Sequence, residues 1–112
     1  MAATGTVVAQ RGTLQIADRV FTKIAGRAAQ DVLAAAWAGR AERGRTPKVS
    51  VTVSGGAARL TLGVELPFPA DLSELALAVQ AAVTEQVTEL TGTRVTGVAV
   101  LVERLVPAGA AR

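Results

Sequence analysis

The sequence predicts an α+β fold. The expected form is a two-layer sandwich, with two helices packed on one face of a small three-stranded mixed sheet in the order (β)-α-β-β-α-β. The sheet becomes four-stranded if a short leading segment joins it. Three observations point there. Apolar residues recur at helical spacing on either side of residues 48–66. Between them, "KVSVTVSGGAARLTLGVEL" alternates strictly about a Gly-Gly step, the signature of a hairpin with one wet face. Last, "RVTGVAVLVERL" carries alternating valines. One amphipathic sheet and two amphipathic helices can bury their apolar faces only against each other.

Taken in order, residues 1–12 are small and polar with two glycines, and read as an N-terminal arm. "TLQI" is the optional leading strand. Asp18 is the expected N-cap of the first helix, since its carboxylate can accept from the free N–H groups of the first turn. Val20, Ile24, Ala28 and Val32 then recur every four residues, widened by Phe21, Ala25 and Leu33. This helix is expected to continue through "AAAW" to Gly39, with Trp37 as a packing anchor at its end. "GRAERGRTPK" follows as a loop that gathers four cations.

In the hairpin, Val49, Val51 and Val53 share a face with Ala58, Leu60, Leu62, Val64 and Leu66. Ser54-Gly55-Gly56 lacks the Lys-Ser/Thr of a phosphate loop and reads as the hairpin turn. "PFPADLSE" should break the strand and start the second helix, with Asp71 and Glu74 at capping-box spacing and Gly92 as the C-cap. That helix presents Leu72, Leu75, Ala76, Val79, Ala82, Val83, Val87 and Leu90 as its apolar face. In the last strand Val98, Val100 and Val102 share a face, and Pro107 opens a short tail, 107–112. We expect this strand to lie beside the first hairpin strand, as in a split βαβ arrangement. The folded domain is then 13–106.

Composition narrows the chemistry. The chain of 112 residues is half hydrophobic and 3% aromatic, with no cysteine, histidine or tyrosine. Disulfides, thiolate nucleophiles and thiolate metal sites are excluded, as is the commonest general base near neutral pH. Catalysis would have to work through carboxylates, Lys, Arg, Ser or Thr, and no spacing advertises such a site. No catalytic residue, cofactor or metal is expected. No apolar run approaches the ~20 residues that a membrane span needs, and the N-terminus lacks the pattern of a signal peptide. A cytoplasmic protein is expected.

Charge is uneven. Residues 1–48 hold eight basic groups against three acidic, and residues 49–112 hold four against six. Arg19, Lys23, Arg27, Arg40, Arg43, Arg45 and Lys48 form the candidate contact surface, and Glu85 and Glu89, one helical turn apart, the candidate acidic counter-surface. The basic set suits an anionic partner or the acidic face of another copy. Nucleic acid is the weaker reading, because no stacking aromatics or groove-reading element accompany the cations.

At "TELTGTRVTGVAVLVERL" the chain resembles the alkaline shock protein family of bacterial envelope-stress proteins. The likeness lies in a helix ending on Thr91-Gly92, then Val95, Val98, Val100 and Val102 in a V-x-x-V-x-V-x-V pattern. "GTLQIADRVFTKIAGRAAQDV" resembles the family's opening through Gly12, Ile16, Ala17, Val20, Ile24, Ala25 and Ala28. The resemblance spans residues 12–105 and includes no catalytic motif. Two departures mark a divergent member: "DVLAAAWAGRAERGRTPK" replaces a short Val-Pro-Gly-Val-like segment, and "PFPADL" replaces a polar lead into the second helix. The resemblance implies a non-enzymatic, envelope-stress-associated protein that self-associates and is held near the cytoplasmic face of the membrane by a membrane-anchored partner. The alternative is a basic nucleic-acid-binding or anionic-lipid-binding module using the first helix and the 40–48 loop.

Overall fold

The computed structural model describes residues 15–107. Five elements follow in order: α1 (Asp18–Trp37), β1 (Lys48–Ser54), β2 (Ala57–Phe68), α2 (Leu72–Thr91) and β3 (Arg94–Pro107). Both helices lie on one face of a three-stranded mixed sheet, as expected for the α+β sandwich. The N-terminal arm, the first half of the leading "TLQI" segment and the end of the tail fall outside the described residues. Gln15 and Ile16, the described part of that segment, are not strand.

The strand order corrects the expectation. The sheet runs β1-β2-β3, with β2 antiparallel to β1 and parallel to β3, so β3 lies beside the second hairpin strand, not the first. Length explains the choice. β1 offers seven residues, whereas β2 pairs with β3 from Ala57↔Arg94 to Phe68↔Pro107. Placing β3 there satisfies far more backbone groups and flanks Leu60, Leu62 and Val64 with Val98, Val100 and Val102.

Gly55 and Gly56 turn the hairpin with φ of 61° and 78°, the two positive values a type I′ turn needs. On β2, Ala58, Leu60, Leu62, Val64 and Leu66 are all buried, as the alternation requires. β3 departs from strict alternation at two bulges, opposite Ala58/Arg59 and Val64/Glu65. The first inserts Thr96 between Val95 and Val98, so the V-x-x-V step keeps both valines on the helix face despite the odd spacing.

The strand also runs through "PF" rather than breaking before it. Pro67 and Val106 pair in register and both are buried. Proline is tolerated because β1 stops at Lys48↔Gly63, so no neighbour on that side asks Pro67 for an N–H. β3 correspondingly includes Pro107.

Helix ends show one hit and one miss. Asp71 caps α2 by accepting from the Glu74 backbone N–H at 3.0 Å, and Gly92 closes it at φ 73°. Asp18 does not cap α1. The N-cap is Ala17, whose carbonyl accepts from Val20 N–H at 2.9 Å, and Asp18 is the first helical residue. There its carboxylate still faces the positive end of the helix dipole.

The buried stripe of α1 is rotated from the expected one. Phe21, Ala25, Ala28, Ala29, Leu33 and Trp37 face the core, while Ile24 and Val32 are half-buried and Val20 is exposed. Small alanines let α1 approach the sheet and α2 closely. On α2, Val79, Val83 and Val87 are fully buried but Leu90 is 64% exposed. Gln80 ties α2 to β3 by donating to Val98 O at 2.9 Å. No charged or polar residue is buried among the described residues.

Candidate functional site

The cations expected to form one surface divide between two places. The first is a groove between the helices, on the side away from the sheet. β1 runs against β2 and β3 runs with it. α1 therefore leads up into β1's start, and α2 returns down from β2 to β3, so the helices are antiparallel. They do not close completely along their outer seam, which leaves a groove of about 820 Å³. Its floor is apolar, from Val20, Ile24 and Val32 of α1 and Ala82 and Leu90 of α2.

Arg19, Lys23 and Arg27 stand on one wall because a four-residue step keeps them on one flank of α1. Arg27 pairs with Asp31 at 3.5 Å, with both side chains mostly in solvent, so the pair adds little stability. Arg19 and Lys23 form none of the ion pairs among the described residues. Glu85 and Glu89 are exposed on α2 and also form none. Each stands one residue before Gln86 or Leu90, which line the groove, so about 100° of helix rotation puts the acids on its opposite shoulder. The groove thus has an apolar floor, a basic wall and an acidic shoulder.

The second place is the C-terminal end of β2, where the 38–47 loop folds back. Arg40 donates to Phe68 O at 3.3 Å and to Pro69 O at 2.9 Å, satisfying carbonyls at the strand's end. The Arg45 backbone N–H donates to Glu65 Oε1 at 3.2 Å, and its guanidinium lies 3.8 Å from Oε2. Arg104 reaches the same carboxylate at 3.5 Å and also Glu42 at 3.9 Å. Gly44 lies against the Trp37 ring. Arg43 lines a smaller hollow of about 290 Å³ beside Trp37, and Lys48 stands exposed at the start of β1.

Glu65, only 12% exposed, organises this end of the molecule. The Arg45 backbone N–H holds its carboxyl below the ordinary glutamate range. The charges of Arg104 and Arg45 act in the same sense, and partial desolvation works against them.

Glu65 and Arg104 were not singled out from the sequence. They meet because the second β3 bulge places Arg104, rather than Glu103, opposite Glu65. The displaced Glu103 lays its carboxylate over Gly63 instead. Alternating polarity assigns Glu65 to the open face but says nothing of its neighbour two elements away.

Among the described residues no helix is long and apolar enough to cross a membrane. Comparison with curated proteins and with solved structures found no match. A family model does match, over residues 6–107, and takes in both helices, all three strands and the loop between α1 and β1. The chain therefore belongs to the alkaline shock protein 23 family, whose function is related to the cell envelope.

Proposed function

We propose that this protein serves the envelope by contact rather than by catalysis, through self-association and through a membrane-anchored protein partner at the cytoplasmic face. The observation that carries the reading is the groove between α1 and α2. It is an open, largely apolar strip with Arg19, Lys23 and the Arg27–Asp31 pair on its α1 side and Glu85 and Glu89 beside it on α2, which is the make-up of an interface with an apolar core and a charged rim. Leu101, Val102 and Leu105 on the edge strand β3 are also exposed.

Crosslinking in cells, followed by membrane fractionation and light scattering of the purified protein, tests this. The expected outcome is a membrane-associated fraction that high salt or alkaline washing releases, with crosslinks to copies of itself and to one integral membrane protein. A strict monomer found wholly in the soluble fraction would overturn the reading.

A basic module for nucleic acid or anionic lipid is the second reading, favoured by the row Arg19, Lys23 and Arg27. It has less support, because Arg40 spends its guanidinium on the Phe68 and Pro69 carbonyls and Arg45 pairs with Glu65. Binding of this kind would fall steeply with salt and with Arg19/Lys23→Ala. Salt-insensitive binding, or none, would dispose of it.

A further inference from the structure

We propose that two copies of this chain associate through the α1/α2 groove about a two-fold axis running along the helices. In that pairing Arg19 and Lys23 of each copy face Glu89 and Glu85 of the other. The inference rests on the self-association in the reading above and supplies its surface and geometry.

The argument is one of charge and register. An isologous interface must be complementary to itself. A two-fold axis across the helices would lay α1 on α1, cation against cation. An axis along the helices lays α1 of one copy over α2 of the other and keeps every residue at its own height.

Heights then decide the partners. Because the helices are antiparallel, the groove has Arg19 and Val20 at the same end as Leu90, with Ala82 further along toward the other end. Arg19 is therefore level with Glu89. One turn on, Lys23 is level with Glu85. Both pairs share the four-residue spacing, so both can form together, twice per dimer. The same contact covers Val20 and Leu90, which are 39% and 64% exposed in the single chain. Arg19, Lys23, Glu85 and Glu89 form no ion pair among the described residues, so none of those residues competes for them.

The test uses two charge-reversed variants of the full chain, Arg19→Glu/Lys23→Glu and Glu85→Lys/Glu89→Lys, with circular dichroism to confirm that each folds. Sedimentation equilibrium should show each variant alone self-associating at least about tenfold more weakly than wild type, since like charges then face each other at both ends of the interface. An equimolar mixture should recover association, because a heterodimer of the two restores all four opposite-charge contacts.

If either variant associates as wild type does, or the mixture fails to recover, the groove is not the interface. Self-association then runs through another face, and the proposed function stands without this surface. A wild-type chain that stays monomeric overturns both the groove and self-association. A monomer that instead binds phosphatidylglycerol vesicles through Arg19 and Lys23 assigns the groove to anionic lipid and overturns the proposal.

Discussion

Gly44→Ala and Gly63→Ala are the same chemical change with opposite expected results. A Cβ on Gly44 would sit 2.5 Å from Trp37 Cζ2 and 2.7 Å from Cε2. Carbon atoms in contact want 3.5–4.0 Å, so either the ring or the loop must move by about 1 Å. Neither is free to do so. The ring is 9% exposed at the end of α1, and the loop is tied down by Arg40 and Arg45.

Overpacking of this kind costs about 1–3 kcal/mol. The lost flexibility of the unfolded chain returns about 0.4–1 kcal/mol, leaving a net destabilisation of about 1–2 kcal/mol. With a urea dependence of about 1.5 kcal/mol per molar, the unfolding midpoint falls by about 1 M. A Cβ on Gly63 meets atoms just as close, at 2.5 Å, but they belong to the carboxylate end of exposed Glu103, which swings away at little cost. Alanine also suits a strand better than glycine by about 0.5–1 kcal/mol, so this variant should match wild type or exceed it slightly.

Trp37 is the single tryptophan, so its emission reports the contact directly. Gly44→Ala should shift it to the red as the loop lifts and water reaches the ring. Gly63→Ala should leave it unchanged. Equal midpoints for the two variants with unshifted emission in both would refute the claim that the loop is clamped onto Trp37.

Leu62→Ala, at the fully buried centre of β2, should cost about 2–5 kcal/mol in urea denaturation, because flanking strands and helices cannot collapse into the space. Asp71→Ala removes the acceptor for Glu74 N–H and should cost about 0.5–2 kcal/mol, whereas Asp18→Ala should cost less because Asp18 makes no cap bond. Glu65 has a lowered folded value, so its stabilising effect is complete above the ordinary glutamate value near 4.5. The effect is lost as pH falls through the folded value. An acid titration followed by Trp37 emission should show wild type more stable than Glu65→Gln near neutrality and the two converging below that window. A difference that persists unchanged into strong acid would exclude the carboxylate as its source.

Local patterns carried most of the fold because their causes are local. The Gly55-Gly56 turn, the Asp71 and Gly92 caps and the alternation on β2 depend on residues within a few positions of one another. So did the V-x-x-V step, in which Thr96 is the extra residue of a bulge. The core face of α1 was only half legible. Val20, Ile24, Ala28 and Val32 and the set Phe21, Ala25, Ala28 and Leu33 both fit a helical period, and only the position of α2 and the sheet selects the second.

By itself the sequence determined the element order, the hairpin, both caps of α2, the poverty of catalytic side chains and the family likeness along both helices and β3. Tertiary structure decided the strand order, since pairing β3 with β2 or with β1 leaves every local signal unchanged and differs only in how long a ladder forms. It decided the fate of the charges for the same reason. "LQIADRVFTKIAGRAAQDV" places Arg19, Lys23 and Arg27 on one flank of a helix, and "GRAERGRTPK" adds four more cations nearby in sequence. Only the packed molecule separates them, holding Arg40 and Arg45 against the end of β2 and setting the helical row along an apolar groove with Glu85 and Glu89 on its far side. Electrostatic partners are chosen by distance in space, and the chain sets that distance only once it has folded.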